Sequence, residues 1–285
     1  MAKFLYKKDF YNCLFEENYL SEIYSEIQFE DAIIKVPIKN IETAKNYSFN
    51  LFPNYLQPKL KNNTICRKIT QKPGFAISLK GFNSIDDYLK QCKASFRKVI
   101  NRSVNRLETC FDINYKMYFG SIEKADYLLL MEALENMLIS RFKIKEGKNK
   151  VLNNWSHYTD FAYESINNKK ASLFVIYNEN EPIEISLNFH CNNIMYSSIS
   201  SYNLDYSKFS LGNIEIYKQL EWCITNNIGL FDMGYGAFDY KLRWSNYTYA
   251  FETHIISSKN NIFSSMIADY TKYKFSIINY LIKNN

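Results

Sequence analysis

The chain has 285 residues, of which 47% are hydrophobic, 22% are charged and 17% are aromatic, and its formal net charge is +6. These are ordinary values for a globular protein that buries one large core or two smaller ones. The positive charge suits an anionic partner such as a coenzyme, RNA or a phospholipid surface. It is too small for this length to indicate nucleic-acid binding by itself.

The six cysteines are irregularly spaced and include no Cys-x-x-Cys pair. This pattern excludes a zinc ribbon and a dense disulfide framework, and it predicts free thiols in a reducing compartment. No residues show the spacing of metal ligands, so we expect no metal. The first residues contain no long apolar run, and no segment approaches the length of a membrane span. The sequence therefore predicts a cytoplasmic protein.

The amino-terminal part, residues 1–80, reads as short strands and loops, with strand-like runs at 32–37 and 75–79. A long helix is predicted to begin after Ser84, because an apolar stripe recurs at three- and four-residue steps from Ile85 to Leu107. The opposite face is basic and consists of Lys90, Lys93, Arg97, Lys98, Arg102 and Arg106. Two further helices are predicted at 121–141 and 155–166.

The pattern then changes to β-branched and aromatic runs, which predict strands at 171–177, 183–190 and 194–202. A helix capped by Ser210, a strand at 228–233, another at 247–257 and a final amphipathic helix at 263–282 follow. A strand, helix and strand joined by short connections indicate a mixed sheet with at least one crossover. The predicted class is α/β or α+β.

The segment Phe209-Ser-Leu-Gly-Asn213 opens a helix and offers a site for phosphate. Free N–H groups and the positive end of the helix dipole attract anions there. Gly212 lets a pyrophosphate or pantetheine chain come close, and Lys208 is a cation that could pair with a phosphate. The alternative is an ordinary helix start that needs Ser210 only as its cap.

The run from Phe231 to Trp244 is the most informative stretch, because an apolar strand enters a double-glycine turn followed by Asp239 and Lys241. Polar groups after such a turn are often placed for binding or chemistry. Asp232 could accept a proton or orient a neighbour; its alternative is a carboxylate that accepts turn N–H groups. Lys241 could stabilise an oxyanion, and its alternative is a solvated surface lysine.

Proton donation to a leaving thiolate needs a hydroxyl, and Tyr235 and Tyr240 are both candidates in this turn. The adjacent pair His190 and Cys191 suggests nucleophilic chemistry, but neighbouring residues of a strand point to opposite faces. A structural histidine is the favoured interpretation of His190. The basic helix face is either solvated or contacts an acidic substrate, a tRNA acceptor or a membrane surface.

Two stretches resemble the CelD-like branch of the GNAT acyltransferases. One is Asp86-Asp-Tyr-Leu-x6-Phe96-Arg-Lys-x-Ile-Asn-Arg-x3-Arg106-Leu. The other is Phe231-Asp-x-Gly-x-Gly-x2-Asp239-Tyr-Lys241-x2-Trp244, which is the more specific. The resemblance covers roughly residues 84–245. Residues 1–83 resemble, more loosely, a degenerate first GNAT-like lobe of the kind found in Fem-type peptidyl transferases.

The resemblance implies a GNAT-like mixed twisted sheet flanked by helices, with two tandem lobes. It implies an amino-terminal lobe at 1–83 on the acceptor side and an acyltransferase domain at 84–285. Acyl transfer would run from a thioester, acetyl-CoA or a longer acyl-CoA, to a small-molecule or peptide amine. By position, the coenzyme arm would be held by Ser200, Ser201, Lys208, Ser210, Leu211, Gly212 and Asn213.

By position, Asp239 and Lys241 would line the acceptor side. The predicted catalytic residues are Asp232, Tyr235, Asp239 and Lys241, with Asp232 or Asp239 as the base, acting directly or through water. Leu211 stands where the branch often has proline, and Gly212 is the one glycine of a loop that is usually richer in it. Fem-type relatives use aminoacyl-tRNA as donor, so two alternatives stay open. One is aminoacyl-tRNA-dependent transfer, with tRNA or acyl carrier protein on the basic face at 90–106, and the other is an inactive assembly protein.

Overall fold

The computed structural model describes most of the chain. The described residues are 6–15, 23–34, 46–145 and 151–283. Residues 35–37 of the strand-like run at 32–37 lie outside them.

The described residues fall into two compact units that interleave along the chain. The first contains the described residues up to Phe75, the short stretch Tyr235–Ala237, and those from Thr248 onward. The second contains Ala76–Gly234 and Phe238–Tyr247. Compactness alone does not define a functional lobe, so the boundary between residues 83 and 84 stays a prediction.

The strands of the described residues are numbered in chain order. They are β1 (Tyr6–Asp9), β2 (Tyr24–Phe29), β3 (Ala32–Ile34), β4 (Asn46–Pro53), β5 (Gln57–Leu60), β6 (Thr64–Ser78), β7 (Ile113–Tyr118), β8 (Ala171–Asn178), β9 (Glu181–Cys191), β10 (Ile194–Tyr202), β11 (Leu230–Tyr235) and β12 (Tyr247–Ser258). Strands are thus found at each of the positions predicted in the carboxyl half.

The helices are numbered in the same way. They are α1 (Phe10–Phe15), α2 (Ile85–Lys90), α3 (Ala94–Cys110), α4 (Lys124–Lys145), α5 (Trp155–Asn167), α6 (Leu211–Thr225), α7 (Asp239–Trp244) and α8 (Ile262–Lys283). Short 3₁₀ segments precede α5 and α6, at Leu152–Asn154 and Leu204–Phe209.

The first unit is built on the strand order β1-β4-β12-β6, with a small sheet β3-β2-β5. β1 runs parallel to β4, and β12 runs antiparallel to it. Its core is aromatic: Phe52 stacks on His254 at 3.9 Å between ring centroids, and the Tyr24 hydroxyl lies 3.0 Å from His254 Nδ1. Helix α8 packs on this unit, where Arg67 pairs with Asp269 at 2.6 Å.

The second unit has the strand order β11-β10-β9-β8-β7. Strands β7 to β10 form an antiparallel meander, whereas β10 and β11 are parallel. Parallel neighbours need a crossover, and helix α6 supplies it. Helix α4 packs on β9 and β10, and α5 packs on β8. This is the α/β mixed sheet flanked by helices that the sequence predicted.

The long helix predicted from Ser84 is in fact two helices, α2 and α3. Ser84 does cap α2, because its Oγ accepts the N–H of Asp87 at 3.1 Å. The chain breaks after Lys90, and the Arg97 side chain donates to the carbonyls of Leu89, Lys90 and Cys92 at 3.4, 2.9 and 3.1 Å. The apolar stripe continues across the break because α2 and α3 both pack on α6.

Candidate active site

The parallel pairing of β10 with β11 is short. It joins Ile194–Tyr196 to Leu230–Asp232 and goes no further. A bulge between Ser197 and Ile199 then shifts the register of β10, which continues to Tyr202 along β9 alone. Such a bulge bends its strand and changes the direction of the side chains that follow. One edge of β10 is therefore left open beyond Tyr196.

A cavity of about 290 Å³ lies at this opening. Its walls come from β10, from the start of α6, from β11 and from single residues of neighbouring elements. They are Ser197, Ser200, Tyr202, Ser207, Ser210, Leu211, Gly212, Asn213, Glu215, Ile216, Phe231, Met233, Arg141 and Tyr240. The segments 209–213 and 231–244, although far apart in sequence, thus share one cavity.

The start of α6 leaves backbone donors available at the cavity. Ser210 adopts φ 59° and ψ 41°, the left-handed region, and its side chain makes no capping hydrogen bond. The predicted side-chain cap is therefore wrong, because a capping residue normally has extended backbone. The Ser210 carbonyl accepts the N–H groups of Asn213 and Ile214. Those of Leu211 and Gly212 have no acceptor among the described residues.

Gly212 faces open space. A Cβ built on it would meet no atom within 4 Å, and its φ lies outside the left-handed region. The fold itself therefore does not require glycine at this position. The free space lies beside backbone donors at the positive end of a helix, where an anionic ligand is favoured.

Strand geometry separates two of the serines that the resemblance placed beside the coenzyme. Ser200 lines the cavity, whereas Ser201 is 1% exposed, and its Oγ has no hydrogen-bond partner among the described residues. Adjacent residues of a strand face opposite sides, so both could not line one cavity. Lys208 is exposed in the 3₁₀ segment and outside the lining, and its carbonyl lies 3.5 Å from Arg106 Nη1.

Asp232 and Lys241 lie together just outside the lining. Asp232 is buried and accepts the N–H of Gly234 at 2.7 Å, while the Lys241 ammonium donates to the Met233 carbonyl. Burial lowers the pKa of Lys241 to about 8, and the nearby Asp232 opposes that shift. The alternative of a solvated surface lysine is therefore wrong. The pair fixes α7 to the end of β11.

The other two predicted catalytic residues have different surroundings. Asp239 is exposed at the start of α7, where its carbonyl accepts from Arg243. Tyr235 belongs to the first unit, where the Lys72 ammonium lies 3.3 Å from the centroid of its ring. Tyr240, the other tyrosine candidate, is the one that lines the cavity. His190 is buried with its Nε2 2.8 Å from Ser172 Oγ, and burial lowers its pKa to about 3.

The sequence did not indicate a buried carboxyl pair, of which one member, Glu215, forms part of the cavity wall. Glu215 on α6 is 6% exposed and Glu184 on β9 is fully buried. Gln219 Nε2 donates to Glu215 Oε1 at 2.9 Å and lies 3.3 Å from Ser186 Oγ. Burial raises the pKa of Glu215 to about 7. Burial, and then the neighbouring Glu215, raise the pKa of Glu184 well above its ordinary value.

Charged and polar side chains from three helices meet at the cavity. The Nη1 atom of Arg141, which belongs to α4, lies 3.4 Å from the Ser200 carbonyl oxygen. Burial and the charge of Glu215 raise the pKa of Tyr240 to about 12, whereas Arg141 lowers it. Tyr240 therefore keeps its proton at neutral pH. The trio of Arg141, Glu215 and Tyr240 combines a cation, a proton acceptor and a proton donor.

The indole of Trp244 connects the two ends of the site. It is fully buried, and its Nε1 donates to Asn213 Oδ1 at 3.1 Å. Among the described residues, no cluster of His, Cys, Asp and Glu could hold a metal ion. In the same part of the chain, no helix is long and apolar enough to cross a membrane.

The fold and the cavity define an α/β protein with a cavity where two parallel strands part. The family model of the GNAT acetyltransferase domain matches residues 94–242. The chain belongs to this family, as its sequence motifs predicted. A search of curated protein sequences finds no match.

Several solved structures are similar to this chain at low sequence identity. FemX superposes with a TM-score of 0.52 at 8% identity, over 75% of this chain and 72% of that one. A conserved protein of unknown function from Bacteroides thetaiotaomicron gives 0.49 at 8%, over 75% and 70%. L-PGS from Bacillus licheniformis gives 0.43 at 11%, over 77% and 68%. The similarity to FemX shows that the two proteins share a fold.

Proposed function

We propose that this protein transfers an acyl group from a thioester, acetyl-CoA or a longer acyl-CoA, to the amine of a small molecule or peptide in the cytoplasm. The family supports acyl transfer in general. The observation that carries the finer proposal is the cavity at the parting of β10 and β11, with unpaired backbone donors and free space at Gly212.

The donor would be held along two walls of the cavity. The amide groups of its pantetheine arm would pair with the open edge of β10 near Ser200, as a strand pairs with an edge. Its pyrophosphate would lie against the N–H groups of Leu211 and Gly212, with Lys208 nearby in sequence as a counter-charge. Asn213, held by Trp244, would complete this end.

Catalysis would come from positioning the amine against the thioester and from stabilising the oxyanion. Asp232 and Lys241 support this by holding α7, and hence Tyr240, against β11. Within the proposal Lys241 supplies positive charge near the reacting carbonyl, and Asp239 and Tyr235 act on the acceptor side. Replacing each of these four residues, and measuring both the turnover and the Tm of every variant, tests the four assignments.

The experiment on donor binding uses Gly212→Ala. Alanine fits the fold and is a better helix former than glycine, so the Tm of the free protein should hold or rise. The added methyl occupies the space proposed for the coenzyme. Coenzyme A should therefore raise the Tm of the parent, because it binds the folded state, and should raise that of the variant much less.

Glu221→Ala is the matched control, since Glu221 lies on the same helix, is half-exposed and does not line the cavity. It should respond to coenzyme A as the parent does. An equal Tm rise in the Gly212 variant would contradict the placement of the donor.

The exposed basic residues of α3 support a second candidate, transfer from aminoacyl-tRNA. Lys93, Lys98 and Arg102 are exposed, whereas Arg97 is engaged in capping α2. A tRNA held by these side chains would bind with strong salt dependence. Lys98→Ala combined with Arg102→Ala should then weaken tRNA binding and flatten its salt slope, with coenzyme A leaving the Tm unchanged. Acyl carrier protein, also anionic, could use the same face.

A further inference from the structure

We propose that Glu215, supported by Glu184, is the group that accepts the proton of the acceptor amine. The inference rests on the acyl transfer proposed above. It assigns the base to the second turn of the crossover helix α6, in addition to the motif residues that follow β11.

Glu215 has the position and the supports that a base needs. It is 6% exposed yet forms part of the cavity wall. Gln219, one helical turn further along, donates to its Oε1 at 2.9 Å. Gln219 also reaches Ser186 of β9. These contacts fix the side chain from both the helix and the sheet.

Charged groups from three other elements lie near Glu215 or line the same cavity. Glu184 of β9 and Tyr240 of α7 interact with it electrostatically, and Arg141 of α4 lines the same cavity and acts on Tyr240. Two buried carboxyl groups cannot both ionise cheaply, so the pair retains a proton over the neutral range. Glu184, the more deeply buried, holds it, which leaves Glu215 to ionise near pH 7, where a general base is most effective.

The step balances within the cavity. The amine nitrogen attacks the thioester carbonyl carbon, a C–N bond forms, and the C–S bond breaks. The proton released by the nitrogen passes to the Glu215 carboxylate. The departing thiolate takes a proton from the Tyr240 hydroxyl, and Glu215 returns its proton to the tyrosinate. The net products are an amide and a thiol.

The test measures thiol release from acetyl-CoA with a mixture of ethylamine, ethanolamine and lysine, above the enzyme-free rate, from pH 5.5 to 8.5. In the parent, kcat divided by the fraction of amine in its neutral form should rise with pH through about 7, as Glu215 loses its proton. Glu215→Gln keeps an oxygen for Gln219 but cannot accept the proton. It should lose kcat by ~10²- to 10⁴-fold and lose this rise, while coenzyme A still raises its Tm.

Glu215→Asp keeps the carboxyl, so it should retain the rise with pH at a reduced kcat. This variant also provides the test of Glu215 if Glu215→Gln fails to fold. Glu221→Gln on the same helix should match the parent. An active parent with an unchanged Glu215→Gln profile would overturn the role of Glu215 and leave acyl transfer standing. A parent that binds no coenzyme A and releases no thiol would overturn both.

Discussion

At the scale of single residues, the site depends on ionisable groups that the fold has taken out of water. Lys241, Asp232, Glu184 and Glu215 are each no more than 6% exposed. Removing a charge from water costs free energy unless another group compensates. Each of these four residues should therefore contribute measurably to stability or to catalysis. The two kinds of contribution can be separated by experiment.

Lys241→Ala should lower the free energy of unfolding by ~3 kcal/mol. The change removes the hydrogen bond to the Met233 carbonyl and leaves the buried Asp232 without its neighbouring cation, and breaking a buried pair is expensive. Urea denaturation measures the loss, with the exposed Lys98→Ala as control, expected within ~0.5 kcal/mol of the parent. Unchanged stability with lost turnover would instead favour a purely catalytic lysine.

The Glu215 carboxyl should make the parent less stable as pH rises. Its pKa is raised in the folded protein from the ordinary 4.5 to about 7, so the folded state binds the proton more tightly than the unfolded state. The resulting stability is complete below pH 4.5 and is lost as pH rises through about 7, by on the order of 3 kcal/mol. Urea midpoints from pH 4.5 to 8 should show a flatter slope in Glu215→Gln than in Glu221→Gln.

At the scale of helices and strands, the break between α2 and α3 is stabilised by one side chain. Arg97 donates to three carbonyls around the end of α2, two of them within 3.1 Å. Carbonyls at the end of a helix lack partners within it, so a donor there replaces water. The basic face of the sequence therefore contains one residue whose role is structural.

Arg97→Ala should lower the free energy of unfolding by ~1.5–3 kcal/mol, because it removes charge-assisted hydrogen bonds from partly buried carbonyls. Arg102→Ala, which changes an exposed arginine of the same helix, should stay within ~0.5 kcal/mol. Urea denaturation of both variants makes the comparison. Equal losses would show that the contacts of Arg97 with α2 contribute little.

The sequence predicted the elements well because their signals are local. Runs of β-branched and aromatic residues predicted β8 to β10, and the motif at 209–213 predicted the start of α6. The break after Lys90 was missed because the apolar stripe continues across it. Ser200 and Ser201 were predicted together from the family resemblance, although alternation along a strand allows only one of them to face the cavity. Glu215 was missed because a glutamate in an amphipathic helix normally faces solvent, and only the sheet around Glu184 buries it.

At the scale of the whole molecule, each compact unit collects segments distant in sequence. The first unit places β12 between β4 and β6, so a strand from the carboxyl end is central to a sheet begun near the amino end. Side-chain packing joins these distant segments as well, because Ile69 of β6, Ile255 of β12 and Ala268 of α8 form one buried cluster. Residues 84–285 alone would carry β12 and α8 without β4 and β6.

Hydrogen exchange on a fragment of residues 84–285 tests the predicted lobe boundary. We expect the amides of β12 to exchange quickly there, because their partners in β4 and β6 are absent, and slowly in the full chain. Strands β8 to β10 hydrogen-bond only within the second unit, so their amides should stay protected in both and serve as the internal control. Protection of β12 in the fragment would mean that 84–285 folds as a self-contained lobe. Fast exchange confined to β12 and α8 would mean that the functional boundary follows the interleaved units, because a central strand cannot keep its amides protected after both of its neighbours are removed.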